Sequence, residues 1–85
     1  MKVVLLHALP LDERMWESQV AVLDGHEVVA PKLYPLGSSM EEWADGVLAL
    51  AGGGPLVLVG ASMGGYCSLA IARRVPERVR AVLLA

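Results

Sequence analysis

Apolar positions along the chain collect into four short runs, Val3–Leu6, Glu27–Ala30, Leu56–Gly60 and Val79–Leu84, each rich in valine and leucine with little polar alternation. Runs of that kind read as strands buried on both faces, which occur mainly in parallel sheets covered by helices. Between the runs the period lengthens to that of helices. From Asp12 to Leu23, residues Trp16, Val20 and Leu23 fall at i, i+4 and i+7, opposite Glu13, Arg14 and Glu17, and Gly25 provides the stop. Asp12 is the expected N-cap of this helix. A second helix opens with Ser39 and Glu42 at capping-box spacing, carries the stripe Trp43, Ala44, Val47, Leu48 and Ala51, and ends at Gly52-Gly53-Gly54-Pro55. A third runs from Ser62–Met63 to about Arg74, with Arg73 and Arg74 suited to the negative end of its dipole and Pro76 beyond it.

The element order is therefore β-α-β-α-β-α-β, with no internal repeat and no linker that would divide residues 1–85. It predicts a single three-layer α/β/α domain around a four-stranded parallel sheet. Right-handed crossovers allow helices on both faces only if the chain reverses direction across the sheet. The long connection Pro31–Pro55 can pass over the first strand and set the third on its far side. The first and third strands then adjoin at a topological switch point, where open α/β sheets bind ligands at the strands' carboxyl ends. His7-Ala8-Leu9-Pro10 and Gly60-Ala61-Ser62-Met63-Gly64 occupy those ends.

Composition narrows the function classes. A 55% hydrophobic content with net charge −2 excludes disorder and leaves no electrostatic footprint for nucleic acid. One cysteine and two distant histidines make no closed metal site, and no cofactor motif is present. The triglycine lacks the Lys-Ser/Thr of a phosphate loop and precedes a strand, so it reads as a plain loop. Met1–Leu6 imitates the start of a signal peptide, but His7, Pro10 and Asp12-Glu13-Arg14 interrupt it. No apolar stretch approaches the roughly 18 residues of a membrane span. With the lone Cys67 these features predict a soluble, cytoplasmic protein without membrane contact.

The segment Gly60-Ala61-Ser62-Met63-Gly64 reads G-x-S-x-G directly between a strand and a helix, the arrangement of a nucleophile elbow. So tight a turn puts the serine in a strained backbone conformation with its hydroxyl above the sheet. Glycine is needed at 60 and 64, where side chains would collide. The helix then aims its N-terminal N–H groups, Met63 first, at the spot where a substrate oxyanion would form. The plainer alternative is a turn in which Ser62 merely caps the third helix.

At these residues the chain resembles the α/β-hydrolase fold family, in its serine-nucleophile branch, over essentially its whole length. Gly60–Gly65 (Gly-Ala-Ser-Met-Gly-Gly) looks like a common elbow variant. His7-Ala8-Leu9-Pro10, followed by Trp16, resembles the His-Gly-x-Pro oxyanion loop. Residues 30–39 resemble the Ala-Pro-Asp-Leu-x-Gly-x-Gly-x-Ser stretch. The resemblance implies Ser62 as nucleophile, the Leu9 N–H as second oxyanion donor beside that of Met63, and His7 as support of the oxyanion loop. A serine at the elbow argues against haloalkane dehalogenases and epoxide hydrolases, which place Asp there. The sequence departs at Ala8, where glycine is usual, and at Lys32, where Asp is usual. The family's catalytic acid and histidine follow the fourth strand, so the 85 residues are expected to be the N-terminal portion of a hydrolase that turns over little alone.

The remaining candidates read as structural. His26 lies in a turn at the sheet's amino end, Cys67 is a small buried hydrophobe, and Trp16, Trp43, Met15 and Met40 pack helices on the sheet. The implied activity is cleavage of a small-molecule carboxylic ester, thioester or amide. The alternatives are acyl transfer on the same fold, or a non-catalytic α/β module binding a ligand or partner. Val79–Leu84 forms an apolar edge, and the strand near Val82 is expected to favour self-association.

Overall fold

Four parallel strands, β1 (Lys2–Leu6), β2 (Glu27–Val29), β3 (Leu56–Gly60) and β4 (Val79–Leu84), form one sheet in the order β2-β1-β3-β4 in the computed structural model, which describes all of Met1–Ala85. Three helices, α1 (Glu17–Val22), α2 (Met40–Ala51) and α3 (Met63–Arg74), join them, with 3-10 turns at Glu13–Trp16 and Tyr34–Leu36. The expected switch point is present. β1 lies between β2 and β3, and its register pairs Lys2 with Leu56 and Leu6 with Gly60.

Strand alternation divides the core into two halves. Val4 and Leu6 of β1, with Leu56 and Leu58 of β3, face Ala44, Val47 and Ala51 of α2 and Cys67 and Ile71 of α3. Val3 and Leu5 face the opposite way, onto Trp16 and Ala61. Continuous apolar runs in the central strands are thus explained by helical cover on both sides.

The same reading fails for the flanking strands. β2 has no fully buried residue, and in β4 Leu83 and Leu84 are 58% and 59% exposed. Both are edge strands with a single neighbour, which for β4 agrees with the apolar edge expected at Val79–Leu84, and their valine and leucine content alone does not imply burial on both faces. The first helix also differs from its pattern. It starts as the 3-10 turn, only Trp16 of its stripe is buried, and Val20 is exposed. Asp12 explains the tight start, because its carboxylate accepts from the Arg14 N–H at 3.0 Å and pairs with the Arg14 guanidinium at 2.7 Å.

The caps follow the sequence with one variation. Ser39 Oγ accepts from the Glu42 N–H at 3.1 Å, but the Glu42 carboxylate reaches past Ser39 to the Ser38 N–H at 2.9 Å. At the other end of α2, Gly52 turns the chain at φ 72°. Cations from β1 and from the turn before β4 then hold the exposed carbonyls. Lys2 donates to those of Ala51 and Gly53, and Arg78 to those of Gly52 and Gly54. Positive groups at a helix C-terminus are favourable, and the triglycine is a loop engaged through its carbonyls. No helix is long and apolar enough to cross a membrane.

Candidate active site

The loops leaving β1 and β3 meet at the carboxyl end of the sheet. The Ala61 N–H donates to the Leu6 carbonyl at 3.1 Å, the Ala85 N–H to Gly60 at 2.9 Å, and the Ser62 N–H to Ala85 at 3.2 Å. Ser62 is thereby held by the ends of both neighbouring strands. Its backbone, at φ 52° and ψ −112°, is the one non-glycine residue with positive φ. Such a conformation costs on the order of 1–3 kcal/mol and persists only where the surroundings impose it.

Two glycines make this turn feasible, each against a different obstacle. A Cβ on Gly60 would come within 3.0 Å of the Gly64 and Gly65 backbone, as the tightness of the elbow predicts. A Cβ on Gly64 would come within 3.0 Å of the Leu6 and His7 carbonyls, the end of the adjacent strand. Gly60 therefore lets the turn close on itself, and Gly64 lets α3 descend onto β1.

Ser62 does not cap α3. Its side chain makes no capping bond and the residue is exposed, while its carbonyl accepts from the Gly65 N–H at 2.8 Å and the Tyr66 N–H at 3.3 Å. The hydroxyl is left facing outward at the positive end of a 12-residue helix. Neither the Met63 N–H nor the Leu9 N–H donates to another backbone group. An open groove of about 280 Å³ beside Ser62 is lined by Gly65, Tyr66, Leu69, Leu84 and Ala85, with no charged side chain.

His7, completely buried, fastens the β1 loop. Its Nε2 accepts from the Leu33 N–H at 2.9 Å and its Nδ1 lies 3.1 Å from the Ala8 carbonyl, which places the ring proton on Nδ1. With both nitrogens engaged, the ring has no lone pair to offer Ser62. His26 is exposed in the turn before β2, at the opposite end of the sheet from Ser62. The Arg14 side-chain and backbone hydrogen bonds hold the Asp12 carboxyl down at about 2. Burial pushes the Cys67 thiol up to about 11, so it is protonated and unreactive at neutral pH. No group of three His, Cys, Asp or Glu side chains is placed to hold a metal ion.

One neighbour of the site escaped the sequence reading. The Tyr34 ring stacks obliquely on His7, with centroids 5.0 Å apart, and its hydroxyl donates to the Leu11 carbonyl at 2.5 Å. Its other edge meets Trp43, whose Nε1 donates to the Gly37 carbonyl at 2.8 Å. No local pattern singles out Tyr34, because the two partners that tie it to the β1 loop, Leu11 and His7, lie 23 and more residues away.

Residues 2–85 match the family model described as alpha/beta hydrolase fold. A thermophilic esterase from Thermogutta terrifontis is 33% identical with a TM-score of 0.85, the match covering 99% of this chain and 36% of that one. A pyrethroid hydrolase from Sphingobium faniae JZ-2 superposes at TM-score 0.86 with 22% identity over 99% of this chain and 38% of its own. A putative acyltransferase from Salmonella enterica does so at 0.83 with 24% identity, over 98% and 33%. At these last two identities the likeness is one of fold. The chain spans about a third of each structure's length. No curated protein sequence matches it.

Proposed function

Because the chain belongs to the α/β-hydrolase fold family, we propose that it is the nucleophile-bearing portion of a serine hydrolase acting on a carboxylic ester, thioester or amide. The observation that carries this reading is Ser62 itself. It is an exposed serine held at φ 52° at the N-terminus of α3, with the Met63 N–H unpaired beside it.

The reaction follows from that geometry. Ser62 Oγ attacks the substrate carbonyl carbon and gives its proton to a histidine supplied from beyond these residues. The tetrahedral oxyanion accepts hydrogen bonds from the Met63 and Leu9 N–H groups, each such donor being worth about 10²–10³ in rate. Collapse expels the alcohol, thiol or amine with that proton, and water then frees the acid from Ser62. Transfer of the acyl group to an acceptor other than water would use the same intermediate. Neither histidine of the chain serves as the base, for the reasons of bonding and position given above. Lone Cys67, free and buried, supports assignment to a reducing, cytoplasmic compartment.

Intact-mass labelling by a fluorophosphonate tests the reading. Joined to the rest of a family-length polypeptide, the chain takes up one equivalent, which Ser62→Ala abolishes, whereas the 85 residues alone label slowly or not at all. Labelling or ester hydrolysis that survives Ser62→Ala would overturn it.

A further inference from the structure

We infer that Tyr34 is a positioning residue for the oxyanion loop, its hydroxyl fixing the direction of the Leu9 N–H. The inference rests on the serine-hydrolase reading for its functional consequence, but the clamp itself is geometric.

The loop between β1 and the first 3-10 turn is tied down at two places, both from one segment. At its start, His7 is bonded to the Leu33 N–H at 2.9 Å and to its own neighbour Ala8. At its far side, Tyr34 Oη donates to the Leu11 carbonyl at 2.5 Å. The Ala8 N–H is taken by Met15 Sδ at 3.3 Å, a weak acceptor. Leu9 and Leu11 are 60% and 51% exposed and Pro10 is exposed too, so packing does little to hold this stretch. The Tyr34 hydroxyl makes the one hydrogen bond that reaches residues 9–11 from elsewhere in the fold. Leu9 lies between the two anchors.

Tyr34 is itself well braced. It opens the 3-10 turn Tyr34–Leu36 with Pro35 behind it, packs on His7 and meets the edge of Trp43. The adjacent residues Leu33 and Tyr34 therefore locate both ends of the loop relative to β1. An oxyanion donor works only if its N–H already points where charge develops, and misplacement by about 1 Å can cost about 10²-fold.

The test is Tyr34→Phe, which keeps the ring against His7 and Trp43 and removes only the hydroxyl. Backbone ¹⁵N relaxation on the 85-residue chain is the first readout. In the wild type the Leu9 and Leu11 amides sit near the rigid order parameter of about 0.85, and in the variant they fall below about 0.6 while Leu5 is unchanged. A mobile Leu9 in the wild type, or an unchanged one in the variant, overturns the clamp, and the wild-type value decides even if the variant fails to fold.

The second readout is ester hydrolysis in the Ser62-dependent enzyme. The variant loses about tenfold in kcat with KM within about twofold and an unaltered melting temperature. Loss confined to KM, or no loss, overturns the positioning role. Absence of Ser62 dependence in the wild type would instead sink the hydrolase reading, leaving the relaxation result to stand by itself.

Discussion

Gly64 sits so close to the Leu6 carbonyl that no side chain fits between α3 and the end of β1. The obstacle is backbone on a central strand, which cannot swing aside as a side chain would. Gly64→Ala is therefore expected to cost about 3 kcal/mol or more, at or above the upper end of the overpacking range. Gly53→Ala is the contrast, because a Cβ there meets nothing within 4 Å and the residue's φ is not in the left-handed region. It should be neutral or stabilising by up to about 1 kcal/mol. Urea unfolding of both variants checks the pair, and equal costs would refute the packing account.

The buried ring of His7 leads to a second expectation. His7→Phe fills similar space but leaves the Leu33 N–H facing a group that cannot accept, with a cost of about 1–3 kcal/mol for the orphaned donor. His7→Gln can restore an acceptor and should recover part of that loss. Thermal melting of the two variants distinguishes them, and a Phe variant as stable as wild type would show that the bond contributes nothing.

How much was legible before the fold was known follows from the range of each interaction. Val3–Leu6 and Leu56–Gly60 were recognisable as central strands, and crossover handedness placed them side by side. The Asp12 and Ser39 caps and the glycines at 60 and 64 also answer to local rules. The free edge at Val79–Leu84 was legible too, although its Val-Leu run reads as a strand buried on both faces. Two features depend on the rest of the fold and were not readable: Val20 matches a helical stripe yet faces solvent, and Tyr34 acts through Leu11 and His7. Gly64 is intermediate. Its need for glycine was legible, but its obstacle, the Leu6 carbonyl, belongs to a strand more than fifty residues away.

Acid should weaken the fold partly through Asp12. Its hydrogen bonds to Arg14 lower its carboxyl to about 2 from the ordinary 3.8, so the unfolded chain binds the proton more readily. The contribution is fully present above about pH 4 and is lost as pH falls towards 2. Glu42, lowered by its bond from the Ser38 N–H, acts in the same direction. Denaturation midpoints followed from pH 5 to 2 should fall less steeply in Asp12→Asn. An identical slope would mean that the pairing with Arg14 adds no net stability.

Cys67 provides a direct probe of local opening. With burial raising its thiol to about 11 and no exposed surface, reaction with a disulfide reagent at pH 8 requires the fold to open around α3. Modification should be slow in buffer and complete within the unfolding transition in urea. Reaction in buffer at the rate of a free thiol would show that α3 separates readily from the sheet.

The free edge of β4 bears on association. Its inner side is paired from Leu56–Val79 to Gly60–Leu84, with a register shift that passes over Arg80, whereas its outer edge has no strand beside it. Ala81, Leu83 and Leu84 are exposed along it, and Arg80 is the only charge in the strand. An apolar edge of six residues is a template for another chain, and natural edges are blunted by charge. The 85-residue chain should therefore associate with itself at rising concentration, and Leu83→Lys should shift it towards monomer without altering its circular dichroism. Light scattering after size-exclusion chromatography measures both, and a wild type that stays monomeric at millimolar concentration would show that Arg80 already suffices as the guard.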